Sequence, residues 1–189
     1  MELYVIRHGQ TATNACKGMV GRKQKYSLTE KGEQQAIGAR EQVNEIDYDF
    51  VICSPLERAK RTCELVNVKQ KDVIEDDRIM ERDCGEMEGK PKESFDYPHY
   101  WNYNYDFDFK GMTPIKEFVK TIWEFLDDIK QKYPDKKILI VTHNGVCRAI
   151  GAYFNGIPKD GNLSLYAHDN CEIKHYTTEH KKEKDEVEI

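Results

Sequence analysis

The sequence predicts an α/β fold, in which short buried strands alternate with amphipathic helices. Residues 3–6, 49–53 and 137–142 are short runs with many apolar and β-branched side chains, which is typical of buried strands. Residues 115–129 instead carry apolar side chains at helical spacing. A chain of 189 residues is long enough to bury a sizeable core, and we expect a single domain over residues 1–178.

Two helices are expected in the first half of the chain. A polar loop over residues 11–27 follows the first strand, and Thr29 is the expected N-cap of a helix that runs to about residue 46. Ser54 and Pro55 combine a capping box with a proline at the first helical position, which predicts that a second helix starts there. Arg58 would then lie in the first turn of that helix, near the strand ends.

The second half of the chain contains an unusual aromatic segment. Residues 95–109 hold eight aromatic residues, and their alternation with Asn and Asp from Trp101 onward fits an amphipathic strand or a folded loop. Residues 179–189 are rich in Lys and Glu and predict a frayed, charged tail. The other expected elements are a strand, a helix and two closing strands, at residues 72–75, 144–154, 163–166 and 171–177 respectively.

The composition argues against several classes of partner. Charged residues make up 33% of the chain, the formal net charge is −5 and the mean hydropathy is −0.79. There is no basic block, so we expect no nucleic-acid partner, and no apolar run of membrane-spanning length, so we expect no membrane association. The six cysteines are scattered without metal-ligand spacing. This pattern predicts reduced thiols, a cytoplasmic location and no bound metal.

Two predicted strands each deliver a histidine and a glycine at their carboxyl ends. Arg7, His8 and Gly9 follow the first strand, and His143 with Gly145 follows the strand at 137–142. Open α/β sheets bind ligands just beyond the carboxyl ends of their strands, so the two imidazoles are expected to converge on one crevice. An arginine there supplies a cation with bidentate geometry for phosphate or carboxylate, and a neighbouring imidazole can act as a nucleophile or a base.

These pieces, in this order, resemble the histidine phosphatase family, which also contains the cofactor-dependent phosphoglycerate mutases. The resemblance implies a three-layer α/β/α sandwich with a mixed, mostly parallel sheet, and neither a metal nor another cofactor. The stretches that carry it are Leu3-Tyr-Val-Ile-Arg-His-Gly-Gln-Thr-x-x-Asn14, Leu28-Thr-Glu-Lys-Gly-Glu-Gln-Gln-Ala36, Ser54-Pro-Leu-x-Arg58-Ala-x-x-Thr62, Glu81-x-x-x-Gly85-x-x-Glu88-Gly89 and Val141-Thr-His143-Asn-Gly145.

The resemblance also implies a role for each matching residue. His8 would attack phosphorus and become a phosphohistidine, and Glu81 would protonate the leaving oxygen and then deprotonate the attacking water. Asp83 and Glu86 are rival carboxylates for that role. The phosphoryl oxygens would be bound by Arg7, Asn14, Arg58, His143 and Asn144, the last of which replaces the commoner glycine after the second histidine.

Together, the residues and the resemblance predict a metal-independent phosphomonoesterase that acts on a small phosphorylated metabolite. Phosphoglycerate mutases usually carry a basic segment between the acid and the second histidine, whereas this chain has the acidic and aromatic residues 95–109, which favours a phosphatase. That segment is expected either to cover the site and favour bulky, neutral leaving groups over bisphosphates and phosphoglycerates, or to pack as a minor core that does not contact substrate. A mutase and a non-catalytic module that binds phosphorylated ligands are the alternatives.

Overall fold

In a computed structural model of the protein, which describes residues 1–105 and 109–178, a five-stranded mixed sheet forms the centre of the fold. Its spatial order is β3-β2-β4-β1-β5; β1, β2, β3 and β4 pair in parallel, and β5 is antiparallel to β1. The strands are β1 (Glu2–Arg7), β2 (Phe50–Cys53), β3 (Val73–Glu75), β4 (Lys137–Thr142) and β5 (Ile173–Thr177).

Helices cover both faces of the sheet. The α-helices are α1 (Ala12–Ala15), α2 (Glu30–Gly38), α3 (Arg40–Glu45), α4 (Glu57–Val66), α5 (Tyr97–Tyr100), α6 (Ile115–Lys132) and α7 (Asn144–Asn155). Short 3₁₀ helices lie at Asp77–Ile79, Gly85–Met87, Lys92–Ser94 and Leu163–Tyr166. None of the helices within the described residues combines the length and apolar character that a membrane span needs.

The alternation of side chains along β4 shows why the fold has three layers. Ile138 and Ile140 point into a core that includes the apolar stripe of α6 and much of α7. Leu139 and Val141 point the opposite way, into a second core formed with α2, α3 and α4. Because successive strand residues face opposite sides, one apolar strand serves both cores. The expected α/β/α sandwich with a mostly parallel sheet is confirmed.

Two helix predictions were wrong in detail. The helix expected from residue 30 to about 46 is divided into α2 and α3 at Ala39, directly after Gly38, a residue that weakens helix interiors. The predicted capping box at Ser54 does not form: α4 begins at Glu57, and its N-cap, Leu56, makes no side-chain capping bond. The Ser54 hydroxyl has a different partner, described below.

Two further segments differ from a strand. Residues 163–166, expected as a closing strand, form a 3₁₀ helix because the side chain of Asn162 accepts the Ser164 N–H and starts a tight turn. In the aromatic segment, residues 97–100 form α5, and residues 101–105 form turns and a bend with one isolated antiparallel bridge between Asn102 and Asn162, so the folded-loop alternative holds for the part described. Residues 106–108 and the predicted tail 179–189 lie outside the described residues.

Candidate active site

The two histidines of the predicted crevice lie next to each other. β1 and β4 are parallel neighbours with Arg7 opposite Thr142, so the residues that follow them, His8 and His143, leave the sheet together. The His8 N–H donates to the Thr142 carbonyl at 2.8 Å, and the two imidazole centroids are 5.1 Å apart. The strand-end pattern therefore places both rings in one site.

Hydrogen-bond partners fix the protonation of His8, whose side chain is almost completely buried. Its Nδ1 lies 2.7 Å from the Gly9 carbonyl oxygen, which can only accept, so Nδ1 carries the hydrogen. Its Nε2 lies 3.2 Å from Nε of Arg58, which can only donate, so Nε2 presents a lone pair. Burial, together with the charges of Arg58 and Arg7, holds the pKa of His8 well below 6.5. The ring is therefore neutral, with Nε2 free of hydrogen.

A close approach of backbones keeps this turn in place. A Cβ on Gly9 would lie 2.3 Å from the Gly32 carbonyl oxygen, and a Cβ on Gly32 would lie 2.2 Å from that of Gln10. Thr29 caps α2 by accepting the Gly32 N–H at 3.0 Å, as its sequence context predicted. The start of α2 thus packs directly on the turn that carries His8, and both glycines are sterically required there.

Two arginines bring positive charge to His8. Arg58 is 1% exposed although it lies in the first turn of α4, because its guanidinium reaches inward, where Nη2 donates to the Gly21 carbonyl at 2.9 Å. Nη1 of Arg7 donates to the His168 carbonyl at 2.7 Å, while its buried Nε has no hydrogen-bond partner among the described residues. Both predicted cations are thus in place, and one donor of Arg7 is unused.

His143 is fully buried, with one ring nitrogen occupied and the other free. Nε2 lies 2.7 Å from the Ser54 hydroxyl, whereas Nδ1 has no partner among the described residues. Burial is the largest cause that holds the pKa of His143 well below 6.5, and the charge of Arg58 is the next. The second ring is therefore also neutral.

Glu81 is the carboxyl group that the structure brings to this site. Its oxygens accept the N–H of Arg82 at 2.9 Å and the N–H of Gly145 at 3.2 Å. The rival carboxylates face elsewhere: Asp83 pairs with Lys23 at 3.3 Å and Glu86 lies on the surface. A Cβ on Gly145 would lie 2.1 Å from a Glu81 oxygen, so the glycine after His143 leaves room for that carboxyl group.

The two asparagines are held by backbone donors at the edge of the site. Asn14 accepts the Thr11 N–H at 3.4 Å within the capping box of α1. Asn144, the first residue of α7, accepts the His168 N–H at 3.0 Å. Each carbonyl oxygen therefore has a partner on the protein.

A narrow cavity of about 40 Å³ lies among these groups. Arg58 and His143 are not among the lining residues, but both contact His8, which lines the cavity. Residues lining the cavity are Arg7, His8, Asn14, Gly18, Met19, Val20, Glu81, Lys92, Tyr97, Tyr100, Trp101 and Asn144. The structure thus brings together all seven residues expected to carry out catalysis or bind phosphate.

Sequence reasoning missed several residues beside this cavity. Lys92 lies with Nζ 5.0 Å from the centre of the Tyr97 ring, and the buried Arg148 stacks on Trp101 at 4.4 Å. Although burial acts to raise the pKa of Tyr97, the charges of Arg148 and Lys92 bring it below its usual value. The i, i+4 spacing of Asn144 and Arg148 on α7 was the one signal that could have identified Arg148.

No metal site is evident in the part of the chain that the structure describes. Within residues 1–105 and 109–178, no group of three or more His, Cys, Asp or Glu side chains is placed to hold a metal ion. The positive charge of the site comes from arginines and Lys92.

Comparison with known proteins places this architecture in a family. The model of the histidine phosphatase superfamily (branch 1) matches residues 3–186. The chain is 34% identical over 155 residues to an uncharacterized phosphatase, PhoE, of Bacillus subtilis, covering 80% of this chain and 76% of that one. It is 27% identical over 180 residues to a probable phosphoglycerate mutase, GpmB, of Erwinia tasmaniensis, covering 92% and 83% of the two chains. The crystal structure of the alpha-ribazole phosphatase of Shigella flexneri matches with a TM-score of 0.79 at 25% identity, covering 93% and 89%.

The chain therefore belongs to the histidine phosphatase superfamily. It is a phosphoric monoester hydrolase. The predictions of family, fold and phosphatase activity are confirmed. The chemical roles of the individual side chains are argued next.

Proposed function

We propose that the enzyme hydrolyses its substrate through a phosphohistidine on Nε2 of His8. The observation that carries this proposal is the hydrogen-bond pattern of His8: Gly9 holds the hydrogen on Nδ1, which leaves the lone pair on Nε2. Arg58 bonds to that lone pair in the resting site. A bound phosphate offers the same N–H an anionic oxygen instead, which frees Nε2 for attack in contact with the cation that stabilises the reaction.

Stabilisation of charge is the second part of the proposed mechanism. The transferred phosphoryl group carries its charge on three oxygens, so fixed donors around it lower the barrier most. Arg7 and Arg58 supply two cations from a site that excludes much of the water, where electrostatic interactions are strong. The unused Nε of Arg7 supports its assignment as a phosphate ligand. Asn14 and Asn144 border the same cavity and complete the proposed set.

Glu81 is proposed to move the proton in both half-reactions. As Nε2 of His8 bonds to phosphorus, the bond from phosphorus to the ester oxygen breaks and Glu81 gives its proton to the departing alkoxide. Water then attacks phosphorus, its proton passes to Glu81, and the N–P bond breaks to release phosphate and neutral His8. Among the described residues, Glu81 is the one carboxylate that lines the cavity, which supports this assignment.

The residues that line the cavity support the expected preference for an aromatic or apolar leaving group but not the expected exclusion of anionic ones. Tyr97, Tyr100 and Trp101 line the cavity and offer aromatic surface for stacking. The expected repulsion of a second anion relied partly on Asp106 and Asp108, which lie outside the described residues. The charged lining residue nearest in sequence to that segment is Lys92, a cation. An aromatic or apolar leaving group remains the proposal, and exclusion of anionic ones has no support from the lining.

Phosphoglycerate mutase activity is the second candidate, and Lys92 is the observation that favours it. A mutase must hold a second anionic group of its substrate, and Lys92 lines the cavity beside Tyr97. Incubation with 3-phosphoglycerate and catalytic 2,3-bisphosphoglycerate distinguishes the two activities: a phosphatase releases inorganic phosphate, whereas a mutase forms 2-phosphoglycerate.

Two broader predictions accompany the mechanism. We propose that residues 1–178 act as one domain, because both apolar cores pack on the same sheet. A cytoplasmic location is proposed from the six scattered cysteines; the five that are buried are unpaired thiols, as is the exposed Cys16.

Trapping of the covalent intermediate tests the proposal. Brief reaction with p-nitrophenyl phosphate without added metal, followed by a basic quench and peptide mass spectrometry, should place phosphate on His8, because phosphohistidine is stable to base. His8→Ala should abolish the adduct and lower turnover by several orders of magnitude. His175→Ala, which removes an exposed histidine stacked on Tyr4, is the matched control and should leave both unchanged. Near-wild-type turnover in His8→Ala would disprove the mechanism.

A further inference from the structure

The Ser54 hydroxyl has a single strong contact, and it is to the second histidine. Ser54 is fully buried at the end of β2, and its Oγ lies 2.7 Å from Nε2 of His143. Its other partner among the described residues is the Leu56 N–H, at the longer distance of 3.4 Å. Because α4 starts later than the sequence suggests, the hydroxyl is not occupied by helix capping and is available to the imidazole.

The inventory of donors and acceptors indicates which way this hydrogen bond runs. A serine hydroxyl has one hydrogen to donate and two lone pairs. The Leu56 N–H uses a lone pair, and Nε2 of His143 is the acceptor that the hydroxyl hydrogen can reach. When Ser54 donates, Nε2 carries the lone pair and the hydrogen of the neutral ring is on Nδ1.

That arrangement leaves a donor where an anion is expected. Nδ1 of His143 is buried and has no partner among the described residues, and its ring neighbours that of His8. With hydrogen on Nδ1 the ring can donate to a phosphoryl oxygen without carrying a charge. In the other tautomer a lone pair would face the same anionic oxygen, and the interaction would be repulsive.

We propose that Ser54 is a positioning residue that fixes the Nδ1–H tautomer of His143, so that this ring donates a hydrogen bond to the transferred phosphoryl group. The inference rests on the proposed phosphohistidine mechanism for its consequence in catalysis, but the tautomer itself is a property of the resting enzyme. The two histidines then hold hydrogen on the same nitrogen for opposite purposes. His8 uses its lone pair, and His143 uses its N–H.

Nitrogen NMR of the resting enzyme tests the tautomer directly. Long-range ¹H–¹⁵N correlation spectra distinguish the two neutral forms, and His143→Gln assigns the signal. The wild-type ring should be in the Nδ1–H form. Ser54→Ala should give a mixture of tautomers and lower kcat/KM about tenfold, the size of one lost neutral hydrogen bond in the transition state. Ser54→Thr retains a hydroxyl and should recover the wild-type tautomer.

Thr142→Val is the matched control for loss of a buried hydroxyl. Thr142 directly precedes His143 and donates to the Ile79 carbonyl at 2.8 Å, so its replacement removes a buried hydrogen bond without touching the imidazole. The tautomer should stay unchanged in this variant even if its melting temperature falls. An Nε2–H ring in the wild type, or an unchanged tautomer in Ser54→Ala, would overturn the inference.

The covalent intermediate separates this inference from the mechanism on which it rests. Ser54→Ala should still form phosphohistidine on His8, only more slowly. Absence of the adduct in the wild type would refute the mechanism while leaving the tautomer result intact. Formation of the adduct at the wild-type rate in Ser54→Ala would refute the role of Ser54 alone.

Discussion

Nε of Arg58 lies 3.2 Å from Nε2 of His8, so the cation that should bind phosphate holds the nucleophilic nitrogen in the resting site. A guanidinium has no acceptor, so this contact requires a lone pair on the imidazole. The same charge contributes to the low pKa of His8, after burial. Arg58 therefore adds to the effect of burial in keeping the nucleophile neutral, orients it, and is placed to transfer its hydrogen bond to the substrate.

Replacing Arg58 should weaken catalysis severely. Arg58→Ala leaves a phosphate dianion with one fewer buried cation, which should cost about 2–5 kcal/mol in kcat/KM by analogy with other desolvated charge pairs. Arg58→Lys should recover only part of this loss. A single ammonium group cannot replace the planar guanidinium, whose separate N–H groups contact His8 and Gly21 and are available to the phosphate. Steady-state kinetics with p-nitrophenyl phosphate measures both.

Arg61 provides the control for this experiment. It lies on the same helix, but its side chain is exposed and pairs with Glu33 at 2.7 Å and Glu64 at 3.0 Å. Surface pairs of this kind contribute little, so Arg61→Ala should retain wild-type kinetics. Equal activity of Arg58→Lys and the wild type would mean that Arg58 acts only as a general positive charge.

The buried histidines should make stability depend on pH in weak acid. Burial is the largest cause that lowers the pKa of His8 and His143 well below 6.5 and that of His168 to about 4. The unfolded chain binds these protons near pH 6.5, so it holds more protons than the folded state below that pH. The free energy of unfolding should therefore fall as the pH decreases from 6.5 toward 4, with a slope approaching about 1.4 kcal/mol per pH unit for each ring.

Denaturant unfolding at several pH values between 7.5 and 5 measures this slope. His168→Gln should reduce it by about one third, since one of three buried rings is removed. Tyr176→Phe removes the hydroxyl that contacts the His168 ring at 3.4 Å but keeps the imidazole, and should retain the wild-type slope. A stability that is constant across this range would show that the buried rings are not protonated differently in the two states.

The importance of Glu81 should depend on the leaving group. Glu81→Gln keeps the shape and an acceptor for a backbone N–H but cannot donate a carboxyl proton, so hydrolysis of an alkyl phosphate should slow by roughly 10²–10⁴. The p-nitrophenolate anion leaves without a proton, so phosphorylation by that ester should be far less affected. Burst-phase kinetics separates this step from hydrolysis of the phosphoenzyme.

The rival carboxylates are the natural controls for Glu81. Asp83 is held by Lys23 and the Gly85 N–H, and Glu86 pairs with Lys110 on the surface. Relative to the wild type, Asp83→Asn and Glu86→Gln should therefore lose no more activity on an alkyl phosphate than on p-nitrophenyl phosphate. If Asp83→Asn showed that dependence and Glu81→Gln did not, the assignment of the acid would be reversed.

Chelation should leave the rate unchanged. The residues around the proposed phosphate site supply arginine donors rather than grouped metal ligands, and the described residues hold no cluster of three metal-ligating side chains. Assays with and without EDTA, after dialysis against the chelator, measure this. A large loss that a specific divalent metal restores would contradict the mechanism.

Part of the candidate site was predictable from local pattern, whereas the roles of Asn14, Glu81 and Asn144 were implied by the resemblance to the histidine phosphatase family. His8 and His143 each end an apolar strand, and neighbouring parallel strands bring their carboxyl ends together whatever the rest of the chain does. Helix boundaries are harder to predict from pattern. The apolar stripe continues past Gly38, although the helical backbone is interrupted there between α2 and α3. Local pattern therefore predicts which strand-end residues meet more reliably than where each helix begins or ends.

Contacts between distant residues could not be predicted in the same way. The residues around Ser54 predict that its hydroxyl caps a helix. In the structure the hydroxyl instead contacts His143, which lies 89 residues away in the sequence. Arg148 is similar: its i, i+4 spacing from Asn144 indicates a shared helix face, but it does not indicate that the guanidinium stacks on Trp101 from the aromatic segment. Such contacts depend on how the layers pack, which periodicity does not specify.

Trp101 should influence which leaving groups are accepted, whereas Tyr103 should not. Trp101 is 6% exposed, lines the cavity and also packs in the core. Tyr103 packs against the same core but is not among the residues that line the cavity. Trp101→Leu reduces the stacking surface but keeps apolar volume, so kcat/KM should fall more for aryl phosphates than for small alkyl phosphates, because aromatic contact contributes about 0.5–1.5 kcal/mol. Tyr103→Ala should leave that ratio unchanged. Thermal melting of both variants separates lost packing from lost stacking: a uniform fall in activity that follows the melting temperature in Trp101→Leu would make this ring part of the core and not of the substrate wall.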